Sequence, residues 1–182
     1  MTTPGRLMDQ HHRPLGVLRL SLTARCNLSC PYCQPDGGED SRLSLHQRLQ
    51  LIRACCELGL TTLRLTGGEP LLAPELDELL LAIQQGRNSR HDPLHQLQEV
   101  ALTTNGTLLN GCRAEQLKQA GLDRITISLD GATGASVSRM TGLQGGERHG
   151  EQMLQRVLQG IAAAKAAGFQ SESGAIKLNS VI

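Results

Sequence analysis

Three cysteines within eight residues, Cys26-Asn27-Leu28-Ser29-Cys30-Pro31-Tyr32-Cys33, are the chain's densest group of soft metal ligands. Three thiolates can anchor a four-iron cluster and leave one iron without a protein ligand, much as a catalytic zinc keeps an open coordination position. An open iron can take a substrate or cofactor. The same thiols completed by a histidine such as His46 would make a structural zinc site, although no second Cys-x2-Cys pair stands at zinc-finger spacing. Spacing alone leaves both possibilities standing.

Gly67-Gly68-Glu69-Pro70 is the second candidate. Paired glycines let backbone approach a ligand closely or adopt positive φ, and Glu69 offers a carboxylate to an ammonium group. Alone, the tetrapeptide reads as a plain strand-to-helix turn; its distance after the cysteines gives it weight. The remaining thiols read differently. Cys55 and Cys56 fall in a helix and Cys112 starts another, so all three are expected to be small buried hydrophobes or incidental thiols. His91 and His95 have i, i+4 spacing, but Pro93 between them argues against a helix, and a solvated polar loop is expected over 86–96.

The elements that must carry these groups follow from hydrophobic periodicity. Strands are expected at Val17 to Leu22, Thr61 to Thr66, Glu99 to Thr104, Arg124 to Leu129 and Ala175 to Ile182. Helices are expected at Leu45 to Leu58, Pro74 to about Ile83, Arg113 to Ala120 and Met153 to Ala167, with Gly59, Gly121 and Gly168 ending three of them. This alternation predicts right-handed βαβ units and a parallel sheet, either open or part of a barrel. The cysteine motif follows the first strand and Gly67-Gly68 follows the second, where functional loops of α/β folds emerge. The chain ends inside the last strand, which suggests a truncated domain.

Successive strand residues point to opposite sides. Leu18, Leu20 and Leu22 therefore share one face and Arg19 and Ser21 the other. The same split recurs for Arg64 and Thr66, for Thr126, Ser128 and Asp130, and for Lys177 and Asn179. A closed barrel ordinarily fills its interior with branched apolar side chains, so a polar face supplied by four strands, three of its residues cations, points to a wet, ligand-holding cavity. An open sheet with one solvated face is the alternative, against the tendency of parallel sheets to be covered on both sides.

Bulk composition narrows the classes. The 182 residues can bury a real core, expected as a domain over 15–182 preceded by a flexible segment over 1–14. With one Tyr, one Phe and no Trp, that core must be aliphatic. A net charge of +1 creates no field for nucleic acid or an anionic membrane. No stretch approaches the roughly 18 apolar residues of a membrane span, and Met1 to Gly16 holds no apolar run of the kind expected of a signal peptide. A cytoplasmic protein is expected, in whose reducing surroundings cysteines serve as ligands more often than as disulfides.

Taken together, Cys-x3-Cys-x2-Cys after the first strand, with an aromatic residue before the last Cys, and Gly-Gly-Glu-Pro after the second resemble the radical S-adenosylmethionine (SAM) superfamily. Several longer stretches look like its GTP 3′,8-cyclase family, which performs the first step of molybdenum cofactor biosynthesis: Leu18-Arg-Leu-Ser-Leu-Thr-Ala-Arg-Cys-Asn27, Arg64-Leu-Thr-Gly-Gly-Glu-Pro-Leu-Leu72, Thr103-Thr-Asn-Gly106, Ala120-Gly-Leu-Asp-Arg-Ile-Thr-Ile-Ser-Leu-Asp130 and Ile176-Lys-Leu-Asn-Ser-Val181.

The resemblance implies an incomplete TIM-type βα barrel of about five parallel strands with helices outside. It implies a [4Fe-4S] cluster on Cys26, Cys30 and Cys33, SAM contacts from Tyr32, Gly68 and Ser128, and GTP contacts from Arg19, Arg64, Thr103 and Lys177. The implied chemistry starts with one electron that cleaves SAM to methionine and a 5′-deoxyadenosyl radical, and ends in 3′,8-cyclo-7,8-dihydro-GTP. It further implies a flavodoxin- or ferredoxin-type electron donor, a cyclic pyranopterin monophosphate synthase downstream, a possible homodimer, and a second cluster held by three cysteines of a C-terminal portion. Ala24 and Gln34 depart from the family's usual Asp and Met, and the loops at 86–96 and 142–150 look long. Another radical SAM enzyme, such as a peptide-modifying one, or a catalytically incomplete fragment holding a cluster or zinc, are the alternatives.

Overall fold

Alternating leucines and isoleucines set the sheet. The computed structural model describes residues 7–33, 43–142, 144–170 and 172–181. Its strands are β1 (Val17–Ser21), β2 (Thr62–Thr66), β3 (Glu99–Thr104), β4 (Arg124–Ser128) and β5 (Ile176–Asn179). Its helices are α1 (Leu45–Glu57), α2 (Leu76–Arg87), α3 (Gly111–Gln119), α4 (Gly134–Thr141) and α5 (Gly146–Ala166). Every strand pairs in parallel with its successor, in the order β1-β2-β3-β4-β5. An order that never reverses makes each crossover step the same way, and right-handed connections then place the crossover helices on one face. The result is the expected arc of a β/α barrel; a doubly wound sheet would reverse its order at a switch point.

The apolar strand face packs on the helices. Leu20, Leu63, Leu65, Leu102, Ile125 and Ile127 meet Ile52, Leu79, Leu80, Ile83, Leu117 and Val157 in one core. Burying each such side chain stabilises by roughly 1.5–3 kcal/mol. Capping fixes where helices begin: the Ser44 hydroxyl accepts from Gln47 N while the Gln47 side chain accepts from Ser44 N, and Asn110 Oδ1 accepts from Arg113 N. The described start of the chain folds back through a bridge between Met8 and Pro14, and Leu7 N donates to Leu58 O at 3.3 Å. Among the described residues, no helix is long and apolar enough to cross a membrane.

Two expectations are corrected. The segment 86–96 is not a solvated loop: α2 runs to Arg87, Pro93–Gln96 form a 3-10 turn capped by Asp92, and Leu94 and Leu97 join the core. Arg53 donates to both Asp92 carboxylate oxygens at 2.8–3.1 Å and pins the turn to α1, while His91 and His95 stay exposed. Helix α5 begins at Gly146, inside the expected loop at 142–150, and α4 precedes it. A Cβ at Gly150 would stand 1.8 Å from Gly134 O, so these two helices touch backbone to backbone. Cys56 is buried and Cys55 partly so, as small hydrophobes, whereas Cys112 is exposed on α3. Gln34 lies outside the described residues.

Candidate active site at the carboxyl ends of the strands

The turn after β2 is moulded onto the approach to Cys26. Leu22 N donates to Thr66 O at 2.8 Å, Gly68 N to Thr23 O at 2.7 Å and Glu69 N to Arg25 O at 2.8 Å. Only glycine fits there. A Cβ at Gly67, whose φ is +149°, would stand 2.5 Å from Thr23 O, and one at Gly68 would stand 2.4 Å from Arg25 O. Glu69 departs from its expected role. It is fully buried, and its carboxylate accepts from Leu71 N (3.0 Å), the Thr104 hydroxyl (2.7 Å) and Asn105 N (2.8 Å), so it ties the ends of β2 and β3 together and offers nothing to an ammonium group. Burial pushes its carboxyl above the ordinary range, and the three donors pull it partly back.

The cysteine loop is held from both sides. Cys33 N donates to Cys30 O at 3.0 Å, and Leu28 N lies 3.4 Å from Cys26 Sγ. Ser29 N donates to Thr141 O at 3.2 Å, at the end of α4, and Leu28 packs on Val137, Met153 and Leu154. Helix α4, absent from the elements expected from periodicity, is thus the loop's outer wall. The Tyr32 hydroxyl donates to Asp130 after β4, and Asp130 Oδ1 accepts from Val181 N at 2.9 Å beyond β5. Burial and this hydrogen bond push the Tyr32 phenol well above its usual range. Burial likewise pushes the Cys30 thiol up. Ligation requires the thiolate and therefore releases a proton.

The expected site residues occupy two tiers of one face. Cys26, Cys30, Tyr32, Cys33, Gly68, Thr103 and Ser128 line a common cavity of about 410 Å³ at the carboxyl ends of the strands. Arg19, Arg64 and Lys177 are outside that lining. They lie on the same sheet face: Arg19 pairs in register with Arg64, which stands two residues before the lining Thr66, and Lys177, level with Thr126 and Thr103, stands two residues before the lining Asn179. One step of the strand period is about 6.6 Å, which separates Arg64 from Thr66 at the rim. A fourth cation, Arg124, shares this face and donates to Glu99 at 2.6 Å. Extending the alternation of Thr126 and Ser128 back by two residues would have found it. Buried Arg64 Nε has no hydrogen-bond partner among the described residues.

Three soft thiols around one cavity fit an iron–sulfur cluster. Among the described residues no three His, Cys, Asp or Glu side chains converge on a single-ion site. The alternative zinc ligand, His46, is exposed on α1 and outside the cavity lining. An arc of parallel strands with a Cys-x3-Cys-x2-Cys loop after β1 and a Gly-Gly-Glu-Pro turn after β2 is the arrangement of radical SAM proteins. The chain matches the model of the Radical SAM superfamily over residues 20–181 and belongs to that superfamily, which implies a [4Fe-4S] cluster and SAM.

Its relatives are more specific. It is 58% identical over 183 residues to the GTP 3′,8-cyclase of Synechococcus sp. (strain CC9902), covering all of this chain and 51% of that protein. It is 43% identical over 190 residues to the GTP 3′,8-cyclase of Xanthomonas axonopodis pv. citri (strain 306), covering all of this chain and 50% of that protein. The chain thus spans about half the length of the curated relatives it matches. In fold it resembles native anSMEcpe with bound AdoMet, at a TM-score of 0.63, 21% identity and coverage of 92% of this chain and 43% of that one. It also resembles BtrN in complex with AdoMet and 2-DOIA, at 0.54, 12%, 91% and 56%.

Proposed function

We propose that this chain is the cluster- and SAM-binding half of a GTP 3′,8-cyclase acting in molybdenum cofactor biosynthesis. The observation that carries the reading is the two-tiered polar face: a thiol-lined cavity at the strand ends and, one strand period below it, Arg19, Arg64 and Lys177. Among the described residues no carboxylate pairs with these three cations. Guanidinium groups suit phosphate oxygens through paired N–H donors, and the relatives' shared name supports GTP as the substrate.

Cys26, Cys30 and Cys33 would hold the [4Fe-4S] cluster, which supplies the electron that cleaves SAM into methionine and a 5′-deoxyadenosyl radical. Gly68 leaves backbone open to SAM beside the cysteine loop. Tyr32, held by Asp130, walls the opposite side, and Ser128 presents a hydroxyl from the end of β4. Thr103 faces the cavity between the tiers, while Arg19, Arg64 and Lys177 would orient GTP by its phosphates. The remaining half of the relatives' length would complete the barrel and carry a second cluster.

A one-electron donor of the flavodoxin or ferredoxin type would feed this site, and a cyclic pyranopterin monophosphate synthase would take its product. We place the enzyme in the cytoplasm, where a homodimer is compatible with these assignments. The test is full-length protein incubated anaerobically with GTP, SAM and a low-potential reductant, followed by mass spectrometry for 3′,8-cyclo-7,8-dihydro-GTP. SAM cleavage without cyclised nucleotide would reject GTP as substrate and favour a different radical SAM reaction.

A further inference from the structure

Beside the cysteine loop lies a set of hydrogen bonds that the proposed catalytic roles do not use. Asn105, in the turn after β3, has its backbone N–H donating to Glu69. Its Oδ1 accepts from both Thr107 N (3.0 Å) and the Thr107 hydroxyl (2.7 Å), which establishes which end of the amide is oxygen. Nδ2 therefore faces the cysteine loop with two hydrogens to place. One is donated to Asn27 Oδ1 at 2.9 Å. The other faces Cys26 Sγ at 3.9 Å, the outer edge of N–H to sulfur contact. Asn27 cannot swing aside, because its own Nδ2 donates to Thr107 Oγ1 at 2.8 Å.

We propose that Asn105 tunes the cluster held by Cys26, Cys30 and Cys33 by donating its second amide hydrogen to the Cys26 sulfur. The proposal rests on the cluster reading above. A hydrogen bond to a charged acceptor shortens and strengthens, so ligation of Cys26 as thiolate draws the amide in. Such donors favour the more negative, reduced cluster and raise its potential. The step affected is addition of one electron from a low-potential one-electron donor, with no bond made or broken. Asn105 acts through Cys26 and is a positioning residue, and Glu69, which anchors its backbone, holds the donor in place.

The test compares wild-type protein with Asn105→Leu and Thr107→Val after anaerobic reconstitution with iron and sulfide. Iron and acid-labile sulfide are counted, and the potential is read from the electron paramagnetic resonance of the reduced cluster during a dithionite titration. Asn105→Leu keeps the branched shape without the donors. It should load fully and be reduced roughly tenfold less favourably, a lowering of about 59 mV for one electron. Thr107→Val keeps the donor but frees it, and should shift the potential the same way by less. Full loading with unchanged potential in both variants overturns the proposal and leaves the cluster reading intact. Loading lost in both while wild type loads also overturns it, since the residues then serve loop architecture alone. Wild-type protein that assembles no cluster refutes the underlying reading, and the proposal with it.

Discussion

Replacing Glu69 by Gln separates a buried staple from a ligand group. The Glu69 carboxylate receives three donors: Leu71 N and the Thr104 hydroxyl on Oε1, and Asn105 N on Oε2. The Thr104 hydroxyl oxygen also accepts from Gly106 N at 3.1 Å, so its hydrogen is committed to Glu69. Gln can keep the two bonds at Oε1, but its amide nitrogen then opposes Asn105 N–H. One charge-assisted bond is lost and two buried donors face each other, a penalty of roughly 3–5 kcal/mol. Relief of the buried charge, visible in the raised carboxyl pKa, offsets part of it. A net loss of about 2–4 kcal/mol is expected at neutral pH, measured as a lower urea midpoint at unchanged m.

The pH dependence gives a second handle. Because folding raises this acid's pKa, its contribution is fully present below the unfolded carboxyl value of 4.5 and is lost as pH rises through the folded value. The destabilisation caused by Glu69→Gln should therefore shrink as pH rises across that window. A variant with an unmoved urea midpoint and abolished SAM binding would refute the staple and restore Glu69 as a ligand group.

Other expectations follow from single contacts. Asp92→Asn removes the charge opposite Arg53 and should cost about 1 kcal/mol; because Asp92 is held below its ordinary 3.8, this difference should be present at neutral pH and vanish as acid protonates the carboxylate, by urea unfolding at stepped pH. Gly150→Ala drives a methyl into Gly134 O and should destabilise by about 3 kcal/mol or more, detaching α4 from α5, whereas Gly111→Ala meets nothing within 4 Å and should be neutral or slightly stabilising. In the full-length enzyme, Cys30→Ala should abolish SAM cleavage while Lys177→Ala spares it and weakens GTP binding; equal loss of cleavage in both would contradict the two tiers.

The sheet was legible because a strand buried on one side writes its orientation into every second residue, and β2, β4 and β1 from Leu18 onward keep that alternation. The order of strands and helices then limited the topology to a parallel sheet. What escaped notice was short or tertiary. Helix α4 has the sequence GASVSRMT, poor in strong helix formers, and its capping box uses Ser136 where Glu or Gln is the usual signal. Its stability comes from the Gly134 and Gly150 contact with α5, which no local pattern shows. Leu94 is buried in a stretch otherwise full of polar residues, because Gly86 leaves it room. Glu69 was misread because its partners, Thr104 and Asn105, lie 35 and 36 residues away. The three cysteines stand out by spacing alone, but choosing an iron–sulfur cluster over zinc also needed the glycine turn after β2 and the superfamily match.

The charge arrangement on the polar face bears on the proposed substrate in a way that composition alone does not. Arg19, Arg64 and Arg124 stand at one register level across β1, β2 and β4, with Ala101 between the last two. Strands are about 4.8 Å apart, and two like charges at roughly 5 Å repel by about 3 kcal/mol at an effective dielectric of 20. At Arg124 this is relieved by Glu99 from the neighbouring strand. At Arg64 no carboxylate does so among the described residues, and its Nε, like that of Arg124, is buried there without a hydrogen-bond partner. Among the described residues one arginine of the row is neutralised and the two adjacent ones are not, which retains positive charge where a bound anion would lower the energy. If the proposed nucleotide is the substrate, these cations, unpaired with carboxylates among the described residues, are the groups its phosphates would meet. Raising the salt concentration should weaken that nucleotide's binding far more than SAM's.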